Sequence, residues 1–312
     1  MESIVVGVCT CKRPRMLMKC LQSLAEQIAD PSIILEILVV DNEEQPNNKP
    51  IFDSVSSYSP YRMHYLHQPK RGISFARNAV LEKAAELAPN WVAFIDDDET
   101  AEPNWVIELL SPEYRDTPVL EGRQCFVRPE ALPFWFVAKP PLKDPAREGK
   151  ELKTTITVNV RFSIDLVHAG LRFNEDLGFM GGEDVEFFTR ARKRGFTIRH
   201  SSRAVTHEAI HLERVTLWGF AYREYWYGAS DIASLRNARG IWWAIGRRLP
   251  VVITNMLIGS VEMMISPVFL VRGTIKWKRQ FLRGLKKMMK GLGRAAGLIG
   301  VMPKPYRNIV GS

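Results

Sequence analysis

Three consecutive aspartates, Asp96 to Asp98, directly follow an apolar run from Trp91 to Ile95. An apolar run of this length before a cluster of charges is typical of a buried β-strand. Ligands of open α/β sheets bind beyond the carboxyl ends of the strands, so we expect these aspartates at a binding site. Three adjacent carboxylates repel one another, and a divalent cation that carries phosphate oxygens would balance them. For an isolated run of three aspartates, the alternative interpretation is a solvated acidic turn.

The strand before the aspartates belongs to a longer alternation of strand-like and helix-like segments. Strands are predicted at residues 4–9, 34–40, 62–66, 91–95 and 154–160, and helices from Pro14 onward and at residues 77–88 and 183–193. Strands that alternate with helices predict an α/β fold with a mostly parallel sheet flanked by helices. With 312 residues, of which 46% are hydrophobic, the chain is long enough to bury a full core.

The four cysteines do not form a disulfide or zinc pattern. Cys9 and Cys11 would point the same way from one strand, which is poor geometry for a disulfide, and Cys20 and Cys125 show no metal-ligand spacing. The first residues, Met1 to Ser3, run straight into a strand without a secretory signal. We therefore expect reduced thiols in a cytoplasmic protein.

The net charge of +9 is concentrated in the C-terminal tail. No aspartate or glutamate follows Glu262, whereas 11 of the 43 lysines and arginines do. The chain is therefore a nearly neutral body with a strongly basic end. Nucleic-acid binding fits this pattern poorly, because the tail lacks a recognisable motif and the body is not basic.

The tail combines an apolar segment with a basic amphipathic one. Residues 249–271 are apolar over a length that would span a bilayer, but Glu262 near the middle would be costly in lipid. A helix that lies in the membrane interface fits better, followed by a basic amphipathic helix over residues 277–292. The alternative is a solvated helical face that packs on a partner protein. We expect residues 236–312 to form a helical extension that binds an anionic membrane surface.

Polar residues that suit a binding site occur in a definite order along the body of the chain. They are Thr10 and Arg13 after the first strand, Asp41 after the second, Gly72 to Arg77 at a helix start, Asp96 to Asp98, Gly181 to Asp184 at another helix start, and His207. This ordered set resembles the glycosyltransferases of family 2, which have the GT-A fold. The resemblance covers roughly the first 220 residues. A catalytic domain over residues 1–235 is therefore expected.

The resemblance implies a reaction in which a sugar moves from a nucleotide-sugar to an acceptor with inversion. It implies that Asp41 contacts the nucleobase and that Thr10 lines the base pocket. The alternatives are a helix or turn cap for Asp41 and an ordinary strand-end threonine for Thr10. Arg13, Asp96 and Asp97 are expected to bind the nucleotide-sugar, with Asp96 on the ribose.

Arg77 is expected to bind the diphosphate or the base edge, because a guanidinium suits phosphate oxygens. A surface salt bridge is the alternative role for this residue.

The resemblance places the metal on the last aspartate, Asp98. Mg²⁺ usually takes one or two protein carboxylates together with phosphates and water, so Asp98 and a diphosphate would suffice. The ion would stabilise the departing diphosphate as a Lewis acid. His207 is a second candidate ligand and would favour Mn²⁺ over Mg²⁺. A structural histidine is the alternative, and His200 and His211 are nearby rivals.

Asp184 is the expected general base, which would take the proton of the acceptor hydroxyl. A helix start favours the ionised form of a carboxylate. Glu183 is expected to bind the acceptor or order the loop, and Gly182 lets the backbone approach a sugar closely. The alternative is that both acids are ordinary residues of a first helical turn.

The narrower resemblance is to bacterial transferases that build exopolysaccharide repeat units of the succinoglycan type on a lipid carrier. The Gln-x-x-Arg-Trp motif of processive synthases is absent from the sequence, which favours the transfer of a single sugar. We expect a UDP-sugar donor, a lipid-linked saccharide or glycan acceptor, and a location at the inner face of the cytoplasmic membrane. A nucleotidyltransferase and a catalytically silent membrane scaffold are the alternatives.

Overall fold

The computed structural model describes residues 1–28, 30–127, 147–209, 216–301 and 303. The described residues form two compact units. The first contains residues 1–127 and 147–209, and the second contains residues 216–303. The division into a catalytic domain of residues 1–235 and a C-terminal region of residues 236–312 stays a prediction.

The first unit is built on one mixed sheet of eight strands. They are β1 Glu2–Thr10, β2 Ile33–Asp41, β3 Arg62–His67, β4 Trp91–Asp96, β5 Glu99–Ala101, β6 Val119–Val127, β7 Asn159–Ser163 and β8 Ile198–Ala209. Their order is β3-β2-β1-β4-β7-β6-β8-β5. The first four strands in that order are parallel, and β7 joins β4 in the antiparallel direction. The predicted α/β fold is confirmed.

Six helices cover the sheet of the first unit. They are α1 Pro14–Ala25, α2 Lys49–Ser56, α3 Ile73–Leu87, α4 Trp105–Leu109, α5 Asp165–His168 and α6 Glu183–Lys193. The predicted bounds of α6 are confirmed. α2 was not predicted, since it begins inside a segment that reads as a polar loop.

The strand predicted at residues 154–160 begins only at Asn159. The hydroxyl of Thr154 donates to the carbonyl of Val185, and that of Thr155 donates to the carboxylate of Glu121. At the start of this segment, these side-chain hydrogen bonds are found where a β-strand would have backbone hydrogen bonds to its neighbour.

The sheet is buried on both faces, which explains why its strands are continuous apolar runs. Ile4, Val6 and Val8 of β1 belong to a cluster that also contains residues of α1, α2 and α4. Val5 belongs to a second cluster, with residues of α3, α5 and α6. Because successive side chains of a strand point to opposite faces, one apolar run supplies both layers.

The parallel register brings the carboxyl ends of three strands together. Thr10 at the end of β1 lies opposite Asp41 at the end of β2. On the other side, Cys9 of β1 lies opposite Asp96 at the end of β4. Polar residues from three separate parts of the sequence therefore share one edge of the sheet.

The second unit is helical, as predicted. It contains α7 Leu217–Arg239, α8 Ile241–Ile265, a short 3-10 segment Ser266–Arg272, and α9 Thr274–Leu298. Within the described part of the chain, one stretch, Ile241–Arg272, is long and apolar enough to cross a membrane, and 17% of its most apolar window is buried.

Glycines bring α9 into backbone contact with its two neighbours in this unit. A methyl group added at Gly293 of α9 would lie 1.9 Å from the carbonyl oxygen of Tyr225 in α7. One added at Gly284 would lie 2.7 Å from the carbonyl oxygen of Gly259 in α8. Side chains cannot fit at either position unless the helices separate.

Replacement of Gly293 by alanine is expected to lower the stability of the second unit by at least about 2 kcal/mol, because the new methyl group overlaps backbone. The control is Gly246→Ala in α8, where a methyl group would meet nothing within 4 Å. That change should raise stability by about 0.5–1 kcal/mol, since alanine is the better helix former. Thermal unfolding followed by circular dichroism compares the two, and equal effects would contradict the close packing.

Candidate active site

Asp97 is tied to the end of β1 through both of its carboxylate oxygens. The hydroxyl of Thr10 donates to Oδ2 of Asp97 at 2.9 Å. The guanidinium of Arg13 donates to Oδ1 of Asp97 at 2.9 Å and to Oδ2 of Asp98 at 3.2 Å. Burial raises the pKa of Asp97 to about 6, and Arg13 opposes this rise. Arg13 thus supplies positive charge inside the aspartate cluster.

Asp96 presents the most open carboxylate of the three. Its side chain is 35% exposed, whereas those of Asp97 and Asp98 are 5% and 7% exposed. The pKa of Asp96 is raised by desolvation and by the like charge of Asp98, while Arg77 lowers it. The structure therefore concentrates negative charge at a place that a ligand can reach.

Arg77 connects the aspartate cluster to the start of α6. It projects from α3 and is buried. Its two terminal nitrogens reach different acids: one forms an ion pair with Glu183, and the other lies 3.6 Å from Oδ1 of Asp96. Burial raises the pKa of Glu183 to about 7, against the effect of Arg77. Two acidic motifs that are far apart in sequence therefore meet at one guanidinium.

Asp184 lies in the first turn of α6, as predicted. Its Oδ1 accepts a hydrogen bond from the backbone N–H of Val185 at 2.7 Å, and its side chain is partly exposed. Gly181 and Gly182 precede the helix with φ angles of 76° and 87°. Only glycine adopts such angles readily, so the two residues turn the chain sharply into the helix.

The aromatic core fixes the position of α6. The ring of Phe187 stacks on that of Phe173, with centroids 4.3 Å apart, and Phe188 meets Phe162 of β7 at 6.0 Å. Both phenylalanines of α6 are fully buried. Since they lie one turn after Asp184, their packing holds the acidic end of the helix at the edge of the sheet.

Asp41 is fully buried at the end of β2, and only one of its two carboxylate oxygens has hydrogen-bond partners among the described residues. Its Oδ2 accepts hydrogen bonds from the backbone N–H of Asn48 at 3.0 Å and from the hydroxyl of Tyr65 at 2.7 Å. Its Oδ1 is buried without a hydrogen-bond partner among the described residues. Buried oxygens of folded proteins almost always have a donor, so this one is suited to receive a ligand N–H or hydroxyl.

Asn42 is a site residue that the sequence did not assign a role. Its side-chain N–H groups donate to the carbonyls of Gln68 and Lys70, both at 2.8 Å, and its Oδ1 accepts from the backbone N–H of Gly72 at 2.8 Å. Asn42 thereby fixes the loop that leads into α3. Its position directly after Asp41 was the signal available in the sequence.

Of the two predicted metal ligands, Asp98 lies in the aspartate cluster and His207 does not. Asp98 lies in the cluster next to Asp96. His207 lies on β8, and its Nε2 is 2.9 Å from Oε1 of Glu102, so the structure gives it a carboxylate partner outside the cluster. Of the rivals, His200 is buried with its Nδ1 at 3.1 Å from Glu121, and His211 lies outside the described residues.

The aspartate cluster nevertheless fits a hard divalent cation. Among the described residues, no three His, Cys, Asp or Glu side chains are grouped to hold a metal. A divalent ion that also binds a diphosphate needs only one or two protein carboxylates. Asp96 and Asp98 offer carboxylate oxygens, and burial, followed by the like charge of Asp98, raises the pKa of Asp96.

A comparison with protein families identifies the family of the first half of the chain. The model of glycosyl transferase family 2 matches residues 5–163, from β1 to the end of β7. The chain is also similar to the succinoglycan biosynthesis protein ExoM of Rhizobium meliloti (strain 1021), with 30% identity over 230 residues, which cover 71% of this chain and 72% of that protein. A second relative is the glucosyl-dolichyl phosphate glucuronosyltransferase of Haloferax volcanii, with 23% identity over 73% of this chain and 75% of that protein.

Solved structures share the fold at low sequence identity. A mannosyltransferase of Pyrobaculum calidifontis in complex with GDP-Man and Mn²⁺ is similar with a TM-score of 0.62 and 13% identity, over 94% of this chain and 86% of that one. Residues 1–349 of S. aureus TarS in complex with UDP-GlcNAc are similar with a TM-score of 0.52 and 13% identity, over 96% and 92%. The chain spans 40% of a longer TarS chain.

The family match covers half of the chain, and the relative from Rhizobium meliloti covers more than two thirds of it. The chain therefore belongs to glycosyl transferase family 2 and is a glycosyltransferase with the GT-A fold.

Proposed function

We propose that the protein is an inverting, metal-dependent glycosyltransferase that moves one sugar from a UDP-sugar to a lipid-linked saccharide or glycan acceptor in surface polysaccharide biosynthesis. The observation that carries this proposal is the contact of Arg77 with both Asp96 and Glu183. This contact holds Asp96, which is suited to the donor, close to Glu183, which is suited to the acceptor. Direct transfer of a sugar requires the donor and the acceptor to lie side by side.

The donor would lie along the carboxyl edge of β1, β2 and β4. The Oδ1 of Asp41, which has no hydrogen-bond partner among the described residues, suits an N–H of the nucleobase, and Thr10 lies opposite Asp41 in the sheet. Asp96, with the most open carboxylate, suits the ribose hydroxyls. Arg13 and Asp97 would line the same pocket and keep its charge balanced. Structures of similar fold were solved with UDP-GlcNAc and with GDP-Man, which supports a nucleotide-sugar donor, and we propose the UDP-sugar of the two.

The metal, Mn²⁺ or Mg²⁺, would be held by Asp98 together with Asp96. When bound, it supplies Lewis-acid stabilisation of the negative charge that develops on the departing diphosphate. The mannosyltransferase of similar fold was solved with Mn²⁺, which supports a divalent ion here. His207 would join this set only if its imidazole left Glu102.

Inverting transfer needs a base for the acceptor hydroxyl and attack on the anomeric carbon from one side. The acceptor oxygen forms a bond to the anomeric carbon, and the carboxylate of Asp184 takes the hydroxyl proton. The bond from the anomeric carbon to the diphosphate oxygen breaks, and the diphosphate leaves with the electron pair. Attack from the face opposite the leaving group inverts the anomeric centre. The exposed backbone at Gly182 leaves room for the acceptor sugar beside Asp184.

One relative supports a saccharide acceptor in polysaccharide synthesis, and the other supports an acceptor attached to lipid. One acts in succinoglycan biosynthesis by name, and the other is named for glucosyl-dolichyl phosphate. A nucleotidyltransferase would instead release pyrophosphate from a nucleoside triphosphate, and membership of glycosyl transferase family 2 argues against it. The same membership argues against a catalytically silent scaffold.

The second unit offers a surface suited to a membrane. The apolar residues of α8 that face solvent include Leu257, Val261 and Met264, which are 64%, 54% and 79% exposed. Glu262 does not carry a bare charge into this surface, because Lys287 of α9 donates to its Oε1 at 2.6 Å. We propose that this helix lies in the inner face of the cytoplasmic membrane, with the basic residues of α9 near anionic headgroups.

Asp184→Asn is expected to reduce sugar transfer by at least about 10²-fold, because general-base catalysis contributes about 10²–10⁴-fold. Donor binding should stay nearly unchanged. The readout is sugar release from a panel of UDP-hexoses with water as the acceptor, together with the Kd of UDP. The matched control is Glu186→Gln, which removes an acid from the same helical turn but one paired with Arg190. Full activity of the asparagine variant would reject Asp184 as the base.

Calorimetric titration with UDP is expected to give binding that strengthens at least about tenfold when Mn²⁺ is added, since a divalent ion held by Asp96 and Asp98 would attract the diphosphate. GDP, dTDP and CTP should bind more weakly. Asp98→Asn should remove the effect of Mn²⁺ and leave the metal-free affinity unchanged. Equal binding with and without Mn²⁺ would contradict the metal site, and a preference for another nucleotide would contradict the UDP donor.

Replacement of Leu257, Val261 and Met264 together by glutamate is expected to weaken binding to vesicles that contain phosphatidylglycerol by at least about tenfold. The reason is that each apolar side chain buried in the interface contributes about 1.5–3 kcal/mol. The control is Tyr58→Glu, a similarly exposed site in the first unit. Sedimentation with vesicles is the measurement, and unchanged binding of the triple variant would contradict the proposed surface.

A further inference from the structure

We propose that Arg77 is a positioning residue that holds the segment carrying the base, residues 173–184, against the donor side of the site. The role replaces the diphosphate contact predicted for Arg77 from the sequence. It rests on the proposed function only in naming Asp184 as the base. The tie itself follows from contacts within the first unit.

The guanidinium of Arg77 is committed to protein acids. Its side chain is 6% exposed, and that of Glu183 is 4% exposed. One terminal nitrogen pairs with Glu183, and the other faces Asp96 at 3.6 Å. A buried charge is stable only with partners of opposite charge, so neither acid can be removed without cost. A lysine has one nitrogen and cannot face both acids in this fork geometry.

Two neighbours of Arg77 on α3 hold the same segment. The side chain of Asn78 donates to the carbonyl of Phe173 at 3.0 Å and accepts from the N–H of Phe173 at 2.8 Å. The backbone N–H of Ile73 donates to the carbonyl of Gly178 at 3.0 Å. The start, the middle and the end of residues 173–183 are therefore each bonded to the first two turns of α3.

The held segment forms a 3-10 turn at Glu175–Leu177, which Asn174 caps, and turns sharply at its end. It contains glycines at 178, 181 and 182, and the last two have left-handed φ angles. The residue before α6 is Gly182, which has no side chain to cap the helix. The pair between Arg77 and Glu183 therefore anchors the residue directly before Asp184.

The same turn of α3 is fixed on the donor side. Gly72, the residue before α3, donates its N–H to Asn42, which directly follows the end of β2. α3 thus connects the end of β2, where the nucleobase is proposed to lie, with the segment that carries Asp184. Proton transfer needs the base within hydrogen-bond distance, and a misplacement of about 1 Å costs about 10²-fold in rate.

The first arm of the test measures hydrogen exchange in the full chain without ligand. In Arg77→Gln and in Glu183→Gln, amides of residues 178–186 are expected to exchange at least about tenfold faster, while amides of β1 and β2 keep their rates. The matched control is Lys83→Gln, which breaks the exposed pair between Lys83 and Glu86 on the same helix. It should leave every one of these rates unchanged.

The second arm separates positioning from binding. Arg77→Gln is expected to lower kcat for hydrolysis of UDP-hexoses by about 10²-fold and to change the Kd of UDP less than about threefold. Arg77→Lys should restore little of the rate. Arg77→Met combined with Glu183→Met replaces the ion pair with apolar side chains of similar size, so the thermal midpoint should recover while kcat stays low.

The outcomes are distinct. A rise of tenfold or more in the Kd of UDP for Arg77→Gln, with unchanged exchange at residues 178–186, would overturn the proposal and restore Arg77 as a donor contact. Normal kcat in the double methionine variant would also overturn it. If the unmodified protein binds no nucleotide and releases no sugar, the proposed function fails, and the exchange arm still decides whether Arg77 holds the segment.

Discussion

Charge balance among buried carboxylates is the constraint on which the active site depends. Desolvation makes a carboxylate costly in the folded state, and its neighbours of like charge add to that cost. Two guanidinium groups make the arrangement possible. Arg13 lies among Asp97 and Asp98, and Arg77 lies between Asp96 and Glu183. Arg13 directly precedes α1 and Arg77 lies in α3, so the segments that follow β1 and β3 also supply the charges that the edge of the sheet requires.

This balance explains how a site can be strongly acidic and still be held in a fixed arrangement by its own side chains. The carboxyl groups of Asp97 and Glu183 have pKa values raised to about 6 and about 7, which shows how far they are withdrawn from water. Electrostatic interactions are stronger in such an environment than in bulk solvent. A site built in this way can stabilise charge in a transition state without first rearranging its own groups. The same feature makes the geometry sensitive to the loss of one partner of a buried pair.

The two units of the chain differ in how they bury their apolar side chains. The first surrounds a sheet with helices and gathers the charged groups of its site at the carboxyl edge. The second joins its helices through glycines and keeps an apolar face of α8 in solvent. An exposed apolar surface of this kind on a soluble protein usually marks a binding surface. The basic residues that follow it indicate a partner with negative charge.

The sequence by itself determined the strands that end in Thr10, Asp41 and Asp96, because continuous apolar runs followed by polar residues identify the carboxyl ends of buried strands. It also determined the bounds of α6, since glycines and acids mark a helix start by local chemistry. Only the tertiary structure decided the partners. Arg77 and Glu183 are 106 residues apart, and Glu262 and Lys287 are 25 apart, and nothing in their local sequence pairs them. Asn42 and the start of β7 were missed for the same reason. Their roles depend on which carbonyls, amides and charges the fold brings within reach, and that is set by packing between segments distant in sequence.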